Sequence, residues 1–483
     1  MTDIALQPPT AAADPPGRLA LTAPAARRLA LLALAAGLLL EIGLRGGPAN
    51  AVVAAGLIVA VAALAADGRI RRREAQLLAL AALVPIAFLA VRSSPWLILS
   101  NIAVAGGLLT AAVLFSRSGS VFDTSPTRTL VRSVESLGRG LAGVPALRAV
   151  APRTVPRDWT GAVRVAVAAV VTLPVLAVLI ALLASADAVF ASLLVPDIDL
   201  GPTAGHVLLT LILAAPVLVA GLAAAAGSGD SPPLRGAFGM AEVTTMLALA
   251  AGVLVMFVVA QVVAATDAGE RLVEEAGLTP AEYARSGFFQ LCWATGLILV
   301  FLWVVRALAA PAALDHVVVR VLGAAVPLLT LGLVGVSLRR MALYDEAFGL
   351  TMLRLWVVGA AVWMGAVLVM VAVRNLARRP GRSWLLGGAG VAAAVLVVVA
   401  DLANPEAFVA RHNLDRARDG AELDVEYLRH LSDDAVPTLA AELPSAVRCT
   451  ADPVGAEALN LAVASASDAR GDVCDERIPL PRG

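Results

Sequence analysis

The chain has no lysine: all 37 basic residues are arginine, and 37 acidic residues bring the formal net charge to zero. Balanced charge leaves no cationic footprint for a polyanion, which argues against nucleic acid as a partner. The arginine usage accompanies a general bias towards Ala, Val, Gly and Arg, so composition explains it more simply than selection at a site. Cysteine is also scarce. Cys292, Cys449 and Cys474 contain no CxxC pair, which removes the usual zinc and thioredoxin-like arrangements. P-loop, HExxH and GxSxG strings are absent. Gly388, Gly390 and Ala393 mimic a GxGxxA dinucleotide fingerprint, but inside an apolar helix with no preceding strand, where small residues suit close helix packing. His412 and His430, with Asp415, Asp424 and Asp433, offer no pair at ligand spacing on one helix, so no metal and no cofactor is expected.

Charge itself is sparse at 15%, against 59% hydrophobic residues over 483 positions, a balance that places the chain in a lipid bilayer. Apolar runs of spanning length fall near 29–45, 49–66, 75–91, 95–115, 162–184, 205–226, 242–265, 287–308, 317–337, 353–373 and 384–402, so the expected fold is all-α, a polytopic transmembrane bundle of about 11 spans. Pro85, Pro174, Pro216 and Pro327 lie inside these runs, where side chains or neighbouring helices must satisfy the freed carbonyls. The division that follows is a disordered cytoplasmic arm at 1–28, a four-helix membrane segment at 29–115, a basic linker at 116–160, a seven-helix membrane domain at 161–402 and a helical tail at 403–483.

With the N-terminus inside, arginines in the cytoplasmic connections outnumber those on the other side about threefold, as the positive-inside rule requires. This predicts a multi-pass cell-membrane protein with a cytoplasmic N-terminus and an extracytoplasmic C-terminus. Residues 27–51 also resemble a signal peptide, but Glu41, Arg45 and the spans that follow favour an uncleaved anchor. Glu41 is deep in its run and Gln261 is one of few strongly polar groups in the later spans; a helix contact or snorkelling accounts for Glu41. In the linker, residues 128–141 are either a solvated basic segment or an amphipathic helix on an anionic leaflet. The outer connections 185–205 and 266–286 are acidic.

The densest charge lies at 337–356, where Arg339, Arg340, Tyr344, Asp345, Glu346 and Arg354 sit between two apolar spans. Residues 338–348 read as an amphipathic helix stopped by Gly349, with Thr351 as the next N-cap. An unpaired cation at mid-depth costs about 2.5–3.5 kcal/mol on insertion scales, so Arg354 is expected to have a partner. Structural ion pairing and an anion or lipid-headgroup site are the two readings of this cluster.

Five strings occur in order: SADAVF at 185–190, YARSGFFQL at 283–291, LYDEAFGLTMLRL at 343–355, NPEAFVARHNLDR at 404–416 and LDVEYLRHLSDDAVPTL at 423–439. Together they resemble the bacterial membrane proteins grouped as domain of unknown function 4153/4173. That resemblance implies a shared membrane fold and no particular activity. On the derived topology all five strings reach the outer face, so Asp187, Tyr283, Arg285, Arg340, Tyr344, Glu346, Arg354, Asn404, Arg411, Asn413, Asp424 and Tyr427 are candidates for one polar cluster there.

The tail reads as helices at 405–418, 424–431 and 433–443, and Cys449 and Cys474 could close a 25-residue loop outside the cytoplasm. Apart from the bilayer, expected partners are a lipid or small solute at the outer polar site, or a protein at the tail. The first describes a transporter or lipid-handling protein, the second a sensor or scaffold. A membrane enzyme ranks last, because no acid, base and open site come together in the sequence.

Overall fold

The structure, a computed structural model, describes residues 22–47, 49–125, 239–264, 280–377, 384–450 and 452–477, with isolated positions between 128 and 217. The arm at 1–21, the linker beyond residue 136, the expected span 162–184, Asp187 and the outer connections 185–205 and 266–279 lie outside the described residues, as does all but three positions of the expected span 205–226.

Every described segment of regular structure is helical. Among the described residues six helices are long and apolar enough to cross a membrane: Ala51–Gly68, Pro95–Leu114, Met240–Val258, Val317–Phe348, Met352–Leu376 and Leu385–Ala403. We label the elements α1 (Ala23–Leu44), α2 (Ala51–Ala65), α3 (Arg73–Ala81), α4 (Leu83–Phe88), α5 (Pro95–Leu114), α6 (Met240–Ala264), α7 (Pro280–Leu308), α8 (Pro311–Asp315), α9 (Val317–Phe348), α10 (Met352–Leu376) and α11 (Leu385–Ala403). The tail adds α12 (Pro405–Arg418), α13 (Val425–Arg429), α14 (Val436–Glu442) and α15 (Leu461–Arg477).

Local chemistry fixes the hairpins. Asn50 caps α2 by accepting the Val52 and Val53 amides at 3.0 Å each, the role a short polar side chain plays at a helix start. A Cβ on Gly56 would press on Leu40 and one on Gly43 on Val53, so α1 and α2 approach closely through small residues. Glu41, buried in α1, pairs with Arg45 one turn on at 2.7 Å. The apolar run at 75–91 is not one straight helix; it divides into α3 and α4, with Pro85 inside the second.

The helix expected at 338–348 is not separate from the span before it. Both belong to α9, one helix of 32 residues. Pro327 lacks the amide that would bond the Gly323 carbonyl; the Asn375 side chain of α10 donates to that carbonyl instead, at 2.7 Å. Arg320 then donates to the Asn375 and Leu376 carbonyls at the end of α10. Gly388 packs against Met370 and Trp384, where a Cβ would be crowded, whereas a Cβ on Gly390 would meet nothing within 4 Å, so of the two fingerprint-like glycines Gly388 serves close packing. Arg132 is buried, with its guanidinium over the Phe115 ring, rather than facing a leaflet or solvent.

The front helices share one core around Leu64, Ile86 and Ala112, and α6 to α9 share another around Leu302, Val326 and Leu333. Helices α5 and α11 join the two. A third core, including Leu414, Leu428, Leu439 and Ala466, makes the tail a packed unit. Helix α15, absent from the sequence expectations, belongs to it, and a disulfide joins Cys449 to Cys474 with Cα atoms 6.0 Å apart.

Candidate functional site

One end of the bundle is where α1 and α4 finish, α2, α5 and α10 begin, and α9 and α11 stop. The tail covers this end. The turn into it is set by Asn404, whose φ of 50° is left-handed, a conformation that Asn tolerates better than most residues. Its side chain accepts the Ala407 amide at 3.2 Å and donates to the Asp434 carbonyl at 3.0 Å. Pro405 follows as the first helical residue, which costs no hydrogen bond there, and this brings Glu406 into the first turn of α12.

Asp434 is the centre of the attachment. Its carboxylate, with no side-chain exposure, accepts the Ser93 and Ser94 amides at 2.8 and 2.7 Å, and also the Ser93 hydroxyl at 3.1 Å. Arg92 donates to it at 3.2 Å and to the Asp401 carbonyl at 2.7 Å. A tail carboxylate thus occupies the positive end of α5. Beneath it, Asn101 donates to Asp401 at 2.9 Å inside the bundle. Asn101 Oδ1 and Asp401 Oδ2 are both buried without a hydrogen-bond partner; a proton on Asp401 would let the two groups close an acid–amide pair.

On the other side, Asn460 is almost fully buried and donates to the Ala49, Leu89 and Arg92 carbonyls at 3.0, 3.2 and 3.0 Å. The Leu461 and Ala462 amides bond the Ala90 and Val91 carbonyls. Asn460 and the two amides that follow it together satisfy the orphan carbonyls of Leu89 to Arg92, where the α4 run ends.

The sequence candidates divide around this attachment. Arg354 lies with its guanidinium 4.3 Å from the centre of the Tyr344 ring and donates to the Gly349 carbonyl. Thr351 accepts the Arg354 amide at 3.4 Å, as its N-cap position predicts. Asn413 exchanges two hydrogen bonds with the Leu350 backbone, at 2.8 and 2.9 Å; a Cβ on Gly349, at φ 74°, would collide with Asn413. Tyr427 accepts the Met352 amide at 2.7 Å, and Asp424 caps its helix through the Tyr427 amide at 2.8 Å. Asp345 pairs with His412 at 3.0 Å, and Arg416 donates to the Glu346 carbonyl at 2.6 Å. Arg340 is half-buried, while Glu346 and Arg411 are exposed. Tyr283 and Arg285 are on α7, but their side chains lie outside the described residues, like Asp187.

Asn413, Tyr427, the Asp345–His412 pair and the Arg416–Glu346 bond hold the tail to the α9–α10 turn. An open cleft remains beside them, about 590 Å³, lined by Trp96, Met352, Glu406, Tyr427, His430 and Ser432 among others. Arg340, Glu346 and Arg354 are not among its lining residues. Glu406 is 2% exposed and accepts the Ser432 amide. Burial pushes its carboxyl above the ordinary range, while hydrogen bonds from Ser432 and Ser94 pull the other way. Burial likewise raises the Tyr427 hydroxyl. Trp96 stacks with Trp356, ring centroids 6.4 Å apart. Among the described residues no three His, Cys, Asp or Glu side chains are grouped to hold a metal.

Arg92, Asn101, Asp401, Glu406, Asp434 and Asn460 were not candidates from sequence. Asp401 and Asn101 carried one usable signal, a polar side chain within an apolar run; for the others only their tertiary partners reveal the role.

Among the described residues, six apolar helices beside a packed helical tail fit a multi-pass membrane protein. The chain belongs to the family described as domain of unknown function (DUF4153), whose family model spans residues 29–442; the match includes the front helices, which the five strings did not reach. No curated protein and no solved structure matches the chain.

Proposed function

We propose that this is a lipid-handling or solute-transporting protein of the cell membrane, whose outer polar site is the cleft between Trp96, Glu406 and Tyr427. In this reading the chain crosses the membrane about eleven times, with a cytoplasmic N-terminus and the tail outside. The arginine distribution supports that orientation, as does the Cys449–Cys474 bond, which belongs in an oxidising compartment.

The observation that carries the reading is the composition of the cleft. Its volume of about 590 Å³ lies within the range of about 300–1,000 Å³ typical of small-molecule sites. Its acids are Glu406 and Asp433, and no arginine lines it. Asp433 is already held by Arg470, which leaves Glu406 as the carboxylate for a ligand. Trp96 and Tyr427 also line the cleft, and aromatic rings attract cations. The occupant that fits is an ammonium group, either on a lipid headgroup or on a small amine.

Titration of the detergent-purified protein with alkylammonium solutes, followed by tryptophan fluorescence, tests this. Binding should saturate, and Glu406→Gln should weaken it about tenfold or more, the loss of one charge-assisted contact. An unchanged affinity in Glu406→Gln would remove the reading.

A further inference from the structure

The loop at 452–461, DPVGAEALNL, which leads into α15, has its polarity inverted. Its large aliphatic side chains are outside: Val454 is 78% exposed, Leu459 53% and Leu461 60%. The side chain it buries is the amide of Asn460. Single apolar residues on a protein surface are ordinary, but here every large aliphatic group of one short stretch faces out while a polar one faces in. That arrangement is costly against water and favourable against lipid.

The loop lies at the rim of the bundle, level with the ends of spanning helices. Asn460 donates to the Ala49 and Arg92 carbonyls, just before α2 and α5 begin, and the Leu461 amide bonds the Ala90 carbonyl. On the neighbouring turn a Cβ on Gly46 would press on Ala456 and the Glu457 amide. The exposed apolar surface of the helices runs up to the same level, through Ile42 and Leu44 at the end of α1 and Leu99 one turn into α5. Trp96, in the first turn of α5, is partly exposed as well, and tryptophan collects at the membrane–water boundary. Val454, Leu459 and Leu461 thus continue the apolar surface of the bundle past the helix ends.

We propose that this loop is a membrane-contact site, through which the tail rests on the bilayer with Val454, Leu459 and Leu461 embedded where headgroups meet acyl chains. No basic residue occurs between Arg448 and Arg470, so the contact is apolar and owes nothing to anionic headgroups. Glu457 is exposed in the same loop. A carboxylate is costly in the hydrocarbon interior, which limits the depth to the boundary. The tail is then held from two sides, by Asp434 and Asn460 against the bundle and by this loop against lipid. The contact is independent of the Glu406 cleft and holds whichever side of the membrane carries the tail.

The test places a nitrobenzoxadiazole fluorophore on Leu459→Cys, and separately on Val454→Cys, in a Cys292→Ser background with the tail disulfide closed. Both positions are exposed, so the substitutions remove no packing. Each full-length protein is measured as a single copy in a phosphatidylcholine nanodisc, which leaves both membrane faces open to solvent. Emission should be blue-shifted, and lipid brominated near the top of the acyl chain should quench it several-fold more than aqueous iodide does. Replacing part of the phosphatidylcholine by phosphatidylglycerol, or raising the salt, should change neither result. Quenching dominated by iodide at either position overturns the proposal and leaves the loop to water or to a second protein. Probes shielded from both quenchers overturn it as well, because protein then covers them, and so does lipid quenching that appears only with phosphatidylglycerol.

Discussion

The Asp434 carboxylate accepts the Ser94 amide at 2.7 Å across 340 residues of chain, so the helix that opens at Pro95 is capped by the tail. Helix α5 has no side-chain cap of its own. The tail therefore completes one of the front helices.

Asp434→Ala should destabilise strongly, because it removes the cap of α5 and leaves Arg92 half-buried without its carboxylate. Breaking a buried pair by deleting one partner costs about 3–5 kcal/mol, and the partial exposure of Arg92 places the expected loss near the lower end. Thermal unfolding measures it. Limited proteolysis should cut first near Asn404, where the tail leaves the bundle. An Asp434→Ala protein that melts like wild type would remove the tail as a completing element.

Asn460→Ala tests the other side of the attachment. Its amide serves three carbonyls and its oxygen accepts the Ala462 and Val463 amides, so the substitution leaves several buried groups unsatisfied, at about 1–3 kcal/mol each where water cannot reach them. Asn460→Asp should be at least as damaging, since a carboxylate cannot donate to carbonyls. Hydrogen exchange should then rise first at Leu461 and Ala462.

Thiol counting checks the tail disulfide. Denatured, unreduced protein should show one reactive thiol, Cys292, and reduction should expose three. Closing a loop of 25 residues constrains the unfolded tail by about 3 kcal/mol, so reduction should lower the melting temperature with the membrane helices still folded.

Glu406 gives a pH test. Burial raises its carboxyl above the ordinary value of 4.5, which favours the protonated form in the folded protein. Its favourable contribution is present below about pH 4.5 and is lost as the pH rises through the elevated folded value. The melting temperature of ligand-free wild type relative to Glu406→Gln should therefore be highest at acid pH and fall as the carboxyl ionises. An ammonium ligand prefers the ionised form, so its affinity should rise over the same interval. A stability difference that grows with pH would show a carboxylate stabilised as a charge.

Local signals carried most of the helix boundaries that were legible. Gly349 and Thr351 marked the turn between α9 and α10 because a left-handed stop and an N-cap need only neighbouring residues. The expected helix at 405–418 matches α12. Arg354 needed a partner, and its partners are the nearby Tyr344 ring and Gly349 carbonyl. The attachment was not legible, since Asp434, Arg92 and Asn460 meet groups hundreds of positions away and no periodicity encodes them. Helix α15 was missed because 461–477 is rich in small and polar residues and lacks a continuous apolar stripe. The cleft lies beside the anticipated charge cluster rather than within it: Asp345 and the Glu346 carbonyl hold the tail, and Arg354 is held inside the turn by the Tyr344 ring and the Gly349 carbonyl.

Native mass spectrometry of the intact protein, released from a mild detergent after extraction from membranes, tests the outer site most directly. Wild type should carry a bound molecule with an amine group, and Glu406→Gln should lose it, while Arg306→Gln, altered at the opposite end, should keep it. A wild type with no bound amine, or a Glu406→Gln protein that keeps the same adduct, would contradict the assignment of the cleft.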